Sequence, residues 1–218
     1  MQSYNFILTF ANFLPLNFNK FRLMPSFCVF RKKVLYLRLM KPIFLIGYMG
    51  CGKSTLGRAL QAATGLEFID LDRYIENRFH ATVSDIFAQR GEDGFRRAEA
   101  AMLDEVSRFS DVVIACGGGT PCFFNNMDLM NERGLTVWLT TPVERLFERL
   151  QRNRSKRPVL ADKSDEELLA FIIEALEQRH PYYSRAQEQF CATLLEDKSQ
   201  ISITARQFAE RFNLPVNL

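Results

Sequence analysis

The sequence predicts an α/β fold of three layers, with helices covering both faces of a five-stranded parallel sheet. Three observations carry this expectation. From Met40 onward, short apolar runs alternate with amphipathic stretches, the pattern of a parallel sheet covered on both sides. A glycine-rich loop stands directly between the first strand and the first helix. Three consecutive glycines follow the third strand, and ligands of such sheets gather at the carboxyl ends of the strands.

Taken in order, Pro42-Ile43-Phe44-Leu45-Ile46 reads as the first strand and residues 53–64 as the first helix, stopped by Gly65. A second strand is expected at 66–69, followed by helices at 72–79, 83–89 and 93–109. The apolar run at 112–116 is the central strand. Helix 125–132 ends at Gly134, and strand 135–139 follows. Thr141-Pro142-Val143-Glu144 and Ser164-Asp165-Glu166-Glu167 have the form of capping boxes, which opens helices at 142–152 and 165–179. A fifth strand is placed at 191–195 and a last helix at 202–212. The polar, basic stretch 153–163 between two helices has the length of an active-site lid.

Composition bounds the rest. The chain has 218 residues and a formal charge of +3, unevenly placed. Residues 1–39 hold six basic groups, seven phenylalanines and no acid; set against the total, residues 40–218 carry −3. A mildly acidic body gives no electrostatic case for nucleic acid. The N-terminal stretch has its basic groups after the apolar run, unlike a signal peptide, and its runs are too short to span a membrane. Its plainest reading is an extension outside the fold, with Met40 the functional start. The five cysteines lack C-x-x-C spacing and are odd in number, which points away from disulfides and zinc and toward a reducing cytoplasm.

Gly47-Tyr48-Met49-Gly50-Cys51-Gly52-Lys53-Ser54 fits the phosphate-binding pattern G-x-x-x-x-G-K-[ST] in the strand-loop-helix setting that the motif requires. Backbone N–H groups around Gly50, Cys51 and Gly52 close on a polyphosphate, with Ser54 and Thr55 at the positive end of the helix dipole. Lys53 is expected at the β- and γ-phosphates and the Ser54 hydroxyl at Mg²⁺. Cys51 satisfies the loop's need for a small side chain; a redox switch there is the rarer alternative.

Other groups carry chemistry with alternatives attached. Asp70 and Asp72 are costly neighbours unless a cation or substrate hydroxyls hold them, although Asp72 also suits a helix N-cap. Arg96 and Glu99 are spaced either as a surface pair or as an arginine held for an anionic ligand. Gly117-Gly118-Gly119 suits close approach of backbone to a ligand, or a tight bend. Arg152, Arg154, Lys156 and Arg157 make a basic lid or a solvated loop; Arg157, fixed by Pro158, is the strongest of them. Arg179 reaches a ligand or its own helix terminus.

Together Gly-Tyr-Met-Gly-Cys-Gly-Lys-Ser-Thr, Asp-Leu-Asp, Gly-Glu-x-x-Phe-Arg-x-x-Glu, Gly-Gly-Gly, Arg-Pro-Val-Leu and Arg-x-Pro-x-Tyr resemble, in order and spacing, the shikimate kinase family from about Met40 to the last helix. The resemblance implies a P-loop kinase fold of the nucleoside monophosphate kinase type, with a mobile lid at about 152–163. It implies transfer of the ATP γ-phosphoryl group to the 3-hydroxyl of shikimate in aromatic amino-acid biosynthesis, with ATP as co-substrate and one Mg²⁺ per subunit. By match to the family's motifs, Arg96 and Arg179 would grip the shikimate carboxylate and the Gly118 backbone a hydroxyl. Asp72 would hold ring hydroxyls and act as base, with Asp70 in the outer shell of Mg²⁺ at Ser54. Arg157 would swing in with the lid, and Arg152 would lie against the adenine. Val159 and Tyr182 replace usual leucines. The expectation is a cytoplasmic monomer that binds neither nucleic acid nor membrane. The rivals are a gluconate or nucleoside monophosphate kinase, which has no need of the paired arginines, and a non-catalytic nucleotide-binding homologue, which would show decay at Lys53, Asp72 or Arg157.

Overall fold

The structure, a computed structural model, describes residues 39–154 and 160–216. The chain divides into the units Met1–Leu39 and Met40–Leu218, and the fold is that of the second. Nearly all of the expected N-terminal extension, and Arg157 and Val159 of the expected lid, lie outside the described residues.

In chain order the elements are β1 (Ile43–Ile46), α1 (Lys53–Thr64), β2 (Glu67–Asp70), α2 (Leu71–Phe79), α3 (Val83–Val106), β3 (Val112–Ala115), a 3₁₀ turn (Thr120–Cys122), α4 (Asn126–Arg133), β4 (Leu135–Thr140), α5 (Val143–Arg152), α6 (Asp165–Tyr183), β5 (Glu188–Cys191) and α7 (Lys198–Arg211). The five strands form one sheet in the order β2-β3-β1-β4-β5, and every neighbouring pair is parallel. All four residues of both β1 and β3 are buried, as expected of central strands covered on two faces. Connections leave β1 toward β2 and β3 on one side and toward β4 and β5 on the other. The crevice beside β1 is therefore where a ligand belongs.

Several boundaries differ from the sequence reading. The fifth strand is Glu188–Cys191, not 191–195. As an edge strand it pairs only with β4 and tolerates Glu188 and Gln189 on its open side. The apolar residues that suggested a strand instead leave the sheet, and Ala192 and Leu195 are buried in the following loop. Helix α7 starts earlier than 202 because the Asp197 side chain caps it, accepting from Gln200 N–H at 2.9 Å. Thr141 does not form a capping box: Pro142 takes the N-cap position, and the Thr141 hydroxyl donates to the Cys51 carbonyl at 3.4 Å. The Ser164 box does form, with Glu167. Helix α6 passes through Pro181 to Tyr183, one turn beyond its expected stop at Arg179.

The two helices expected at 83–89 and 93–109 run as one, α3, broken in direction at Gly91, whose φ of 67° and ψ of −179° are open essentially to glycine alone. The break re-aims the segment that carries Arg96 and Glu99.

Candidate active site

The loop Gly47–Gly52 wraps the carboxyl end of β1 with Gly47, Gly50 and Gly52 all at positive φ, between 83° and 140°. A side chain at any of them would be strained, so the pattern's glycines are demanded by the backbone path. Lys53 opens α1 and folds back, its ammonium donating to the Gly47 carbonyl at 2.8 Å and the Tyr48 carbonyl at 3.0 Å. Cys51 is buried, with Sγ 3.7 Å from that ammonium. A cavity of about 460 Å³ opens in front of the loop, lined by Gly50, Gly52, Lys53, Ser54, Thr55, Asp70, Asp72, Gly117, Gly118, Arg149 and Glu196, among others.

At its floor the Ser54 hydroxyl donates to Asp70 Oδ2 at 2.6 Å. Asp70, not Asp72, is the N-cap of α2, accepting from Arg73 N–H with its other oxygen at 3.5 Å. The strand gives way to helix at Leu71, so strand alternation is not what places Asp72 beside Asp70; the first turn of α2 does. Asp72 is left without a hydrogen-bond partner among the described residues. Its pKa is pushed up to about 6, first by burial, then by the charges of Asp70 and Glu99, against the pull of Lys53. An unpartnered carboxylate near the lysine is suited to accept a proton from a bound hydroxyl.

The hydroxyl–carboxylate pair Ser54–Asp70 offers hard oxygens at the cavity edge, the donor chemistry of Mg²⁺. Magnesium is characteristically held by one or two protein oxygens and substrate phosphates, so two oxygens here suffice.

None of the three glycines after β3 has positive φ, so what a side chain would lack at them is room. A Cβ on Gly117 would lie 3.0 Å from Asp72 Oδ1 and 3.1 Å from Glu99 Oε1; one on Gly118 would lie 3.1 Å from Arg179 Nη1; one on Gly119 would lie 2.8 Å from Arg96 Nη2. The glycine run is thus the hub against which the site's charged side chains are set.

Arg96 is not a solvated surface arginine: its side chain is 15% exposed. Nη1 donates to Glu99 Oε2 at 2.9 Å, Nη2 reaches Glu92 at 3.4 Å, and the guanidinium lies over the Phe123 ring at 4.1 Å. Its Nε is buried without a partner, a donor left for something else. Glu99 is 1% exposed and also accepts from the Thr120 hydroxyl. A buried acid held by an arginine and a hydroxyl is a clamp, not a surface pair. Arg179 forms no ion pair among the described residues and sits 5.3 Å from the Tyr48 ring centroid. Its charge and that of Arg96 both act on Cys122, whose thiol is nevertheless pushed up by burial. The two arginines abut neighbouring glycines of the run, Arg179 at Gly118 and Arg96 at Gly119.

Arg152 is not brought to the cavity. It is 66% exposed and faces Glu196 at 3.8 Å. The arginine of α5 that lines the cavity is Arg149, 13% exposed, donating to Glu196 at 2.9 Å, the Gly50 carbonyl at 3.2 Å and the Thr193 carbonyl at 2.8 Å. The sequence reading missed it. The available signal was its place beside Leu146 and Leu150 on the buried stripe of α5, which points Arg149 inward and Arg152 out. Beside the expected lid, Arg154 donates to the Lys163 carbonyl at 2.8 Å and pairs with Asp165.

The model of the family described as shikimate kinase matches residues 49–210. A shikimate kinase of Phocaeicola vulgatus is 55% identical over 174 residues, covering 80% of this chain and 99% of the relative. The crystal structure of shikimate kinase from Bacteroides thetaiotaomicron superposes with a TM-score of 0.77 at 50% identity, over 79% of this chain and 98% of that one. That of Acinetobacter baumannii, in complex with shikimate, gives 0.68 at 32% identity over 80% and 93%. The phosphate loop, the paired aspartates, Gly117 and Gly118 line one cavity, Arg179 and Arg96 abut Gly118 and Gly119 without lining it, and by these matches the chain belongs to the shikimate kinase family.

Proposed function

We propose that this protein transfers the γ-phosphoryl group of ATP to the 3-hydroxyl of shikimate. The observation that carries the acceptor half is the seating of Arg96 and Arg179 against neighbouring glycines of one run, with Arg179 in no ion pair among the described residues. Two guanidiniums set for one carboxylate suit an anionic acid and leave a neutral polyol poorly paired.

The triphosphate lies on the N–H groups of Gly50–Thr55. Lys53 exchanges its carbonyl partners for the β- and γ-phosphates. Arg149 lies against the nucleotide, the role expected of Arg152. Arg96 and Arg179 hold the acceptor's carboxylate, and Gly118 contacts a ring hydroxyl through its backbone. Asp72 accepts the proton of the 3-hydroxyl as its oxygen bonds to the γ-phosphorus and the bond to the ADP oxygen breaks in line. Ser54 and Asp70 are the residues that would hold Mg²⁺, which when bound neutralises phosphate charge. Arg157 supplies further positive charge from the lid. The reading includes a monomer in the cytoplasm; no helix among the described residues is long and apolar enough to cross a membrane.

The test is a coupled ADP-release assay on the full chain with shikimate, gluconate and nucleoside monophosphates as acceptors. Shikimate-dependent turnover well above buffer is the expected result. Turnover with another acceptor and none with shikimate overturns the reading.

A further inference from the structure

Below the glycine hub, the Tyr183 hydroxyl donates to the Gly118 carbonyl at 2.6 Å. The tyrosine is fully buried, with its ring 5.8 Å from that of Trp138. It lies one turn after Arg179 on α6, so the two share a face of the helix. Burial pushes the phenol above its usual range, against the opposing charge of Arg179 and a side-chain hydrogen bond with it.

The acceptor's identity gives this bond its consequence. A peptide group is planar, so fixing the Gly118 carbonyl fixes the whole unit that joins Gly118 to Gly119. At one end of that unit Gly118 abuts Arg179, and also the backbone of Met49 and Gly47 in the phosphate loop. At the other end Gly119 abuts Arg96. The carbonyls on either side are held by the turn, Gly117 accepting from Thr120 N–H at 3.2 Å and Gly119 from Cys122 N–H at 2.8 Å, and the Tyr183 hydroxyl holds the one between them. Satisfying one buried hydroxyl requires only some acceptor; this one is the hinge between the two guanidiniums.

We propose that Tyr183 is a positioning residue for the acceptor: its hydroxyl locks the Gly118–Gly119 peptide and so sets Arg179 and Arg96 at the separation that one carboxylate spans. The inference rests on the function proposed above and adds a residue that never touches substrate.

The test compares the full-length wild type, Tyr183→Phe and, as control, the half-exposed neighbour Tyr182→Phe, with both substrates varied. For Tyr183→Phe the KM for shikimate is expected to rise about tenfold, as for one lost hydrogen bond, while the KM for MgATP stays within about twofold. Tyr182→Phe should match wild type. If Tyr183→Phe keeps the wild-type KM for shikimate, or raises both KM values alike, the hydroxyl is merely structural and the proposal fails alone. If wild type does not phosphorylate shikimate at all, the functional reading fails and this inference with it. Should Tyr183→Phe melt early, the rise in its melting midpoint with saturating shikimate, set against the rise with MgATP, gives the same split at low temperature. A selective loss of the shikimate shift supports the proposal, and equal shifts overturn it.

Discussion

Asp72 is held at a disadvantage for the sake of chemistry. Its carboxyl is raised in the fold from an ordinary value of 3.8 to about 6. The folded state therefore binds the proton more tightly, and stability falls as pH rises from about 4 to 6. Replacing Asp72 by Asn should abolish most turnover, by about 10²- to 10⁴-fold in kcat. The same variant should melt higher than wild type at pH 8, by on the order of 2 kcal/mol, with the gain fading toward pH 4. Calorimetry at the two pH values checks this; a loss of stability at pH 8 would contradict the raised carboxyl. In wild type, kcat/KM for shikimate should rise with pH through about 6 as the base ionises. Arg96→Ala should raise the KM for shikimate by about 10- to 100-fold, from one charge-assisted contact, and leave ATP binding near normal. Arg149→Ala should do the reverse, weakening ATP and sparing shikimate. Titration of each ligand separately tells these apart. That Arg96 is not half of a surface pair was not decidable from its spacing to Glu99, because a surface pair has the same spacing; the burial of Glu99 distinguishes them.

Helix α3 and the segment after β5 show how local signals place a site or mislead about it. Gly91 has no atom near the position of a side chain, so Gly91→Ala meets no clash. Its cost comes from the backbone alone, about 1–3 kcal/mol, and should appear as a lower melting midpoint with a raised KM for shikimate, since Arg96 rides on the re-aimed half of α3. An unchanged midpoint would mean that the helix straightens at little cost. The break itself was legible, because Gly91 and the acidic residues Glu92 and Asp93 after it interrupt the helical pattern. The extent of α6 was not: Pro181 reads as a stop, yet it needs only one missing backbone bond in a last turn. That misreading left Tyr183 outside the helix that aims it at Gly118. The apolar run after Cys191 looked like a strand because burial by a loop and burial by a sheet leave the same composition, as Leu195 shows by lining the cavity.

Over the molecule, what the chain spells contiguously was readable and what folding assembles was not. The phosphate loop encodes its own geometry in three glycines at positive φ, and alternation of strands and helices suffices for the parallel sheet. The proposed acceptor site draws Asp72, Arg96, Gly118 and Arg179 from four separate stretches. They became readable as a set through the likeness of their motifs to a family, while Arg149 lies outside those motifs and Tyr183, within Arg-x-Pro-x-Tyr, had no role assigned to it. The sheet order explains the assembly: β1, β2 and β3 are neighbours whose carboxyl ends carry the phosphate loop, the aspartates and the glycines. The central claim is that phosphate donor and carboxylate-bearing acceptor meet across that edge. Incubating the full chain with γ-labelled ATP, Mg²⁺ and shikimate tests it most directly. Label should move to shikimate 3-phosphate in step with ADP release; ADP release that leaves shikimate unlabelled, or no release at all, would contradict it.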